Sequence, residues 1–289
     1  MNSVTVQAAA KLNLFLHIVG KRADGYHLLE SLVAFTDMCD AIEISAAETL
    51  HLNMDGEFVP DAGAGDGNLV LKAARLLQEK TSTNHGAALR LTKNIPVGAG
   101  LGGGSADAAA TLRGLNDFWQ LHVPMPTLQQ WATQLGADVP MCLASTAAMA
   151  RGIGDELTPI SALPQMHGVL VHPRVPLLTA QVYEAYRHQS RPVWGAVGND
   201  CDALTLPELL AMLKTTRNDL QLPAIGISPL IAEVLLALET LLPMPLLVRM
   251  TGSGACCFAL YEHAEEAARA STHLKTEYPL WWVQQALIG

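Results

Sequence analysis

The sequence predicts an α+β chain of two domains, on three observations. At 289 residues the chain exceeds one average domain and falls short of three. Its opening segments have the alternating, β-branched character of strands, whereas later ones carry apolar stripes at helical spacing. Between them, five glycines fall within the seven residues from Gly98 to Gly104, after a strand pattern and before an Ala-rich helical one.

In chain order, Val4 to Val6 and Leu12 to Val19 read as strands, and Asp24-Gly25 marks a turn. Further strands are expected at Ser31 to Phe35, Ala41 to Ile44 and Glu48 to Met54. The acidic, Gly-rich stretch Asp61 to Gly67 reads as a solvated connection, because it lacks the alternating oxygen ligands and closing Glu of a calcium loop. Asn68 is placed to cap a helix running to Lys80, with its stripe at Leu69, Ala73, Leu76 and Leu77. Ala87 to Thr92 is a strand broken by Asn94-Ile95-Pro96, and helices follow at Ala106 to Trp119 and Thr127 to Leu135. The second half opens on the strand Gly168 to His172. Helices are expected at Thr179 to Tyr186, Leu204 to Leu213 and Pro229 to Leu241, then a strand from Leu246 to Met250 running into Thr251-Gly-Ser-Gly254. Arg187 to Asp202 is polar and turn-rich.

Half the residues are hydrophobic and 16% are charged, which supplies apolar surface for real cores. The balance of 27 acidic to 18 basic residues, with no basic block, argues against a nucleic-acid partner. The expectation is a cytoplasmic protein with a small-molecule substrate, no membrane association and no obligate protein partner. Lys11 falls where a signal peptide needs its apolar run, and Glu233 and Glu239 interrupt the apolar stretch from Leu230 to Leu242. Five cysteines, two of them adjacent at Cys256 and Cys257, make neither a disulfide framework nor a paired zinc spacing, so reduced, mostly buried thiols are expected. His167 and His172 read as ordinary histidines, and no protein metal site is expected.

The glycine segment carries the chemistry. Glycine tolerates positive φ and close backbone approach, so successive N–H groups can turn inward around a polyanion, and the helix starting near Ser105 adds its positive dipole end. Gly104 is followed by Ser105-Ala106 rather than Lys-Ser or Lys-Thr, which excludes a Walker loop. Gly98, Gly100 and Gly103 match the spacing of the dinucleotide fingerprint, but no second strand ending in an acid follows the helix.

Pro96-Val-Gly-Ala-Gly-Leu-Gly-Gly-Gly-Ser-Ala106 resembles the phosphate-binding second motif of the galactokinase, homoserine kinase, mevalonate kinase and phosphomevalonate kinase (GHMP) superfamily. Ala9-Ala-Lys-Leu-Asn-Leu14 resembles its first motif and Thr251-Gly-Ser-Gly-Ala-Cys-Cys-Phe258 its third. Gly20 to Leu29, with Asp24-Gly-Tyr-His27, and Leu135-Gly-Ala-Asp-Val-Pro140 resemble the branch acting on diphosphocytidyl-methylerythritol. Ala9, Ala106 and Cys256 depart from the branch, which has Pro, Ser and Thr there.

The resemblance implies a two-domain GHMP kinase fold, with a half like the second domain of ribosomal protein S5 at residues 1–158 binding ATP and a C-terminal domain at 159–289 closing the substrate cleft. It implies Mg2+ with the ATP, and transfer of a phosphoryl group to the 2-hydroxyl of the erythritol substrate. Asp138 matches the general base and Lys11 its charge partner; an ammonium among apolar strand neighbours would in any case require one. Pro96, Val97, Gly98, Ala99, Gly100, Leu101, Gly102, Gly103, Gly104, Ser105 and Ala106 match the phosphate loop, and Asn68 a position near adenine. Asn13, Tyr26, His27, Thr179 and Tyr183 match substrate contacts, the two tyrosines as stacking partners of the cytosine.

Overall fold

The computed structural model describes residues 3–59, 65–187 and 203–289. Residues 60–64, which include the first part of the acidic Gly-rich connection, and residues 188–202 of the polar stretch, with Cys201 among them, lie outside the described residues. The chain forms two compact units, each assembled from separate stretches. The first comprises Met1–Lys11, Met38–Val97 and Gly102–Ser145; the second comprises Leu12–Asp37, Gly98–Leu101 and Thr146–Gly289.

The sequence pattern suggested two short strands at each of the first two positions, but each is one long strand, β1 (Ser3–Lys21) and β2 (His27–Ser45), shared between the units. Polar residues that interrupt the apolar pattern are buried with partners instead of ending the strand. Lys11 is 5% exposed, and Asn13, also buried, donates to the Ser31 hydroxyl at 2.7 Å.

In the first unit β2 pairs antiparallel with β4 (Ala88–Thr92), Ala41 opposite Thr92, and β3 (His51–Asp55) pairs parallel with β4. Helix α1 (Leu69–Thr81) begins as expected, the Asn68 Oδ1 accepting the Val70 N–H at 2.9 Å. Helix α2 (Gly103–Phe118) can lie close to the sheet because many of its buried positions are small. Ala108, Ala109 and Ala110 are fully buried, and a Cβ on Gly114 would sit 2.5 Å from Ile44 Cδ1. Helices α3 (Met125–Ala132) and α4 (Val139–Ala144) complete the unit, the second of them unanticipated from the sequence. Ile42, Ile44, Leu77, Leu89, Leu91 and Ile95 are essentially inaccessible, each worth about 2 kcal/mol relative to exposure.

The second unit carries β5 (Ala148–Arg151), which pairs with β2 and with β6 (Glu156–Pro159). An antiparallel run follows in the order β10 (Trp282–Ile288), β7 (Met166–His172), β9 (Cys257–Tyr261) and β8 (Leu247–Met250). Helices α5 (Thr179–Arg187), α6 (Leu206–Lys214), α7 (Gln221–Ile227), α8 (Leu230–Glu239) and α9 (Ala264–Glu277) accompany it. Val169, Val171, Val182, Leu220, Val234, Leu238 and Leu274 form its core. No described helix is long and apolar enough to cross a membrane.

Candidate active site

Lys11 and Asp138 meet within the first unit, Nζ to Oδ2 at 3.3 Å. Asp138 occupies the N-cap position of α4 yet makes no capping hydrogen bond. Pro140, at the second helical position, lacks one of the two N–H groups a cap commonly satisfies, and the carboxylate instead faces the ammonium. The pair is asymmetric. The Lys11 side chain is 6% exposed and that of Asp138 40%, so one charge is enclosed and the other reaches solvent. Nearby Cys142 is buried, and its thiol is pushed up to about 12 by burial and then by the charge of Asp138, which leaves it inert as a nucleophile.

The glycine segment differs from residue to residue. Gly102 is the N-cap of α2 at φ +66°, and a Cβ there would lie 2.8–3.0 Å from the Lys11 side-chain carbons. Gly103 already has helical backbone; its constraint is space, with a Cβ 3.0 Å from Ile95 Cγ2 and 3.1 Å from Lys93 Nζ. Gly104 is exposed and would make only an ordinary 3.5 Å contact with Leu69. Helix α2 therefore begins at Gly103 rather than near Ser105. Ser105 sits in the first turn, partly exposed, and does not cap it, while Ala106 is buried. With no side-chain cap and no acidic residue in that turn, the leading N–H groups offer an unopposed anion site.

Within the second unit, the earlier half of the segment rests on the third motif. Gly98 and Gly100 have φ +67° and +77°. A Cβ on Gly100 would lie 2.5 Å from the Thr251 carbonyl oxygen, and one on Gly252 would lie 2.6 Å from that of Gly100. The Cys256 N–H donates to the Ala99 carbonyl at 3.1 Å. Two backbones touch here, and only glycine permits it. Pro96 is buried and leads in, Val97 is 39% exposed and Leu101 is buried.

Sequence reasoning missed a buried ion cluster of the first unit. Lys93, 2% exposed, pairs with Asp40 and, at 2.7 Å, with Asp107. Asp40 also accepts the Ile95 N–H at 2.8 Å, so the cluster links β2, the end of β4 and the first turns of α2. Burial pushes the Asp107 carboxyl up to about 7, with Lys93 offsetting part of the effect and the charge of Asp40 adding to it. The available signal was a lysine closing a strand pattern and an aspartate inside a run of alanines.

The residues matched to substrate contacts fall in the second unit. Asn13 is held by Ser31, and its own N–H donates to the Thr251 hydroxyl at 2.8 Å. His27 stacks on Tyr183 with ring centroids 5.4 Å apart, and meets Tyr186 edge-on at 5.6 Å. Burial, then Arg187 and Lys21, lower the His27 pKa and favour the neutral ring. The Tyr26 side chain is 62% exposed at the adjoining turn. The Thr179 and Ser253 hydroxyls are 2.9 Å apart. Asn68 is committed to its cap and sits beside Met54. Among the described residues no group of three or more His, Cys, Asp or Glu is placed to hold a metal ion.

Comparison with known proteins gives the family. Residues 68–146 match the GHMP kinases N terminal domain and residues 204–280 the GHMP kinases C terminal domain. A 4-diphosphocytidyl-2-C-methyl-D-erythritol kinase of Paramagnetospirillum magneticum is 47% identical over 286 residues, 99% of each chain. One from Sinorhizobium medicae is 43% identical over 98% of this chain and 94% of its own. A crystal structure of a 4-(cytidine 5'-diphospho)-2C-methyl-D-erythritol kinase covers 99% of both chains at 32% identity and TM-score 0.80. A homoserine kinase of Cytophaga hutchinsonii, at 17% identity and TM-score 0.74, shares the fold. With phosphotransferase relatives matched along nearly its whole length and both superfamily domains in order, the chain belongs to the GHMP kinases, in the family of the 4-diphosphocytidyl-2-C-methyl-D-erythritol kinases.

Proposed function

We propose that the protein phosphorylates the 2-hydroxyl of 4-diphosphocytidyl-2-C-methyl-D-erythritol at the expense of ATP, a step of the non-mevalonate isoprenoid route. The observation that carries this reading is the Lys11–Asp138 pair at 3.3 Å, with Lys11 packed under Gly102 where the phosphate loop turns into α2. Asp138 is the general base that accepts the proton of the acceptor hydroxyl. Lys11 orients that carboxylate and stabilises charge developing on the acceptor oxygen. The substrate assignment rests on the names of the full-length relatives and on the matched positions Asn13, Tyr26, His27, Thr179 and Tyr183.

ATP supplies the phosphoryl group. The residues present suit it: three positive-φ glycines, of which Gly100 and Gly102 have their Cβ positions filled by neighbouring atoms, followed by an uncapped helix start. Residues 96–106 would hold its phosphates, and Asn68 would lie near its adenine. Mg2+ would be held chiefly by phosphate and water, as this ion commonly is. ATP binding is assigned to residues 1–158 and closure of the substrate cleft to 159–289.

The test is a coupled ADP-release assay on purified protein with four acceptors: the cytidyl substrate, uncapped methylerythritol phosphate, homoserine and mevalonate. Turnover confined to the cytidyl substrate is expected. Preference for homoserine or mevalonate would overturn the substrate assignment, and no ADP release with any acceptor would overturn the kinase chemistry.

A further inference from the structure

Between α6 and α7, residues Thr215 to Leu220 match none of the three motifs. Asn218 in this segment is 4% exposed, and both its side-chain donors and its amide oxygen are engaged. Its Nδ2 donates to the Met250 and Gly252 carbonyls, both at 2.8 Å, and its Oδ1 accepts the Leu220 N–H at 2.9 Å. Those two carbonyls flank Thr251, at the start of the turn whose Gly252 lies against Gly100.

The segment is itself anchored on both sides of Asn218. Leu16 N–H donates to the Arg217 carbonyl at 3.0 Å and Asp219 N–H to the Leu16 carbonyl at 2.8 Å, while Asp219 Oδ2 accepts the Ile18 N–H at 2.8 Å. The buried Arg249 guanidinium donates to the Thr216 carbonyl at 2.8 Å and to its hydroxyl at 3.1 Å. An amide held this firmly fixes whatever it grips. We infer that Asn218 is a positioning residue for nucleotide phosphate: its two hydrogen bonds to the third-motif turn set where Gly252 presses on Gly100, and so set the conformation of the first half of the phosphate loop. It touches no reacting atom in this role. The steric link is one of hard contact, since a Cβ at either glycine would already be too close, so a shift of a few tenths of an ångström at Gly252 must be taken up at Gly100.

This inference rests on the reading that residues 98–101 hold ATP phosphates, and the test separates the two. Binding of ATP and AMP is measured by calorimetry for wild type, Asn218→Ala and Asn218→Asp. Wild type is expected to bind ATP much more tightly than AMP. In Asn218→Ala the ATP dissociation constant should rise roughly tenfold or more, while that for AMP, which lacks the outer phosphates, stays within about twofold. Asn218→Asp keeps the shape but points a carboxylate at two carbonyl oxygens. Its ATP affinity should therefore be poor at about pH 8 and recover toward about pH 6, as the acid regains a proton to donate. The other charged groups around the segment, Arg217, Asp219, His17 and Arg249, are common to both proteins and cancel in the comparison.

Equal loss of ATP and AMP affinity, or unchanged ATP affinity in a folded variant, overturns the inference. Wild type that fails to distinguish ATP from AMP overturns the phosphate-loop reading instead. If neither variant folds, amide exchange on the wild type decides: ATP but not AMP should slow exchange at Gly254, and identical exchange with both nucleotides overturns the positioning role.

Discussion

A double-mutant cycle on Lys11 and Asp138 tests the catalytic reading most directly, because the two side chains differ so much in exposure. At 3.3 Å the pair attracts by about 5 kcal/mol at an effective dielectric near 20, and by less where the carboxylate reaches water. Asp138→Asn should leave ATP affinity within a few-fold and lower the single-turnover rate by about two to four orders of magnitude. Lys11→Met should slow the same step. If the residues act as a unit, the double variant should be little worse than the poorer single one. Stability should move differently from rate. Lys11→Met replaces an enclosed ammonium by an apolar chain and leaves a carboxylate that is 40% exposed, so the fold should stay within about 1 kcal/mol of wild type. Asp138→Asn deprives the enclosed ammonium of that carboxylate and should cost about 1–2 kcal/mol. Quench-flow phosphorylation and denaturant unfolding provide the two readouts. Near-additive rate losses would show that the pair is not a unit, and an Asn variant as fast as wild type would remove Asp138 as the base.

Three further outcomes are expected. Gly102→Val, at φ +66° and facing the Lys11 side chain, should weaken ATP binding in a protein that still folds, whereas Gly104→Ala should leave stability within about 0.5 kcal/mol; calorimetry with paired melts checks both, and native affinity in folded Gly102→Val would refute the main-chain cradle. Tyr183→Ala should raise the dissociation constant for the cytidyl substrate roughly tenfold or more, with Tyr183→Phe nearly silent and ATP affinity unchanged in both; unaltered substrate binding by Tyr183→Ala would make the ring purely structural. Asp107 has a folded pKa of about 7, above its ordinary 3.8, so the stability it contributes is complete below about pH 4 and is lost as pH rises through 7. The melting temperature of Asp107→Asn relative to wild type should therefore rise between about pH 5 and pH 8, whatever its starting offset, and a constant difference would refute the assignment.

The sequence by itself determined the features whose cause is local. A run of glycines before an Ala-rich helix specifies a turn that close neighbours can enter, and Asn68 before an apolar stripe specifies a capped helix start; both depend on residues within a few positions of one another. The pairing of Lys11 with Asp138 was also legible, through resemblance and through the cost of enclosing an ammonium. Tertiary structure decided the rest. β1 and β2 run unbroken through polar residues because distant partners satisfy those groups, as Ser31 does for Asn13, and no local pattern reports such a partner. The cluster of Lys93, Asp40 and Asp107 joins residues up to 67 positions apart, and Asn218 reaches Met250 and Gly252 across more than thirty. Within the sequence each is an isolated polar residue with an ordinary surface explanation. Only folding, by removing water from around them, makes hydrogen-bond and charge partners obligatory and so shows which polar residues are tied to which backbone.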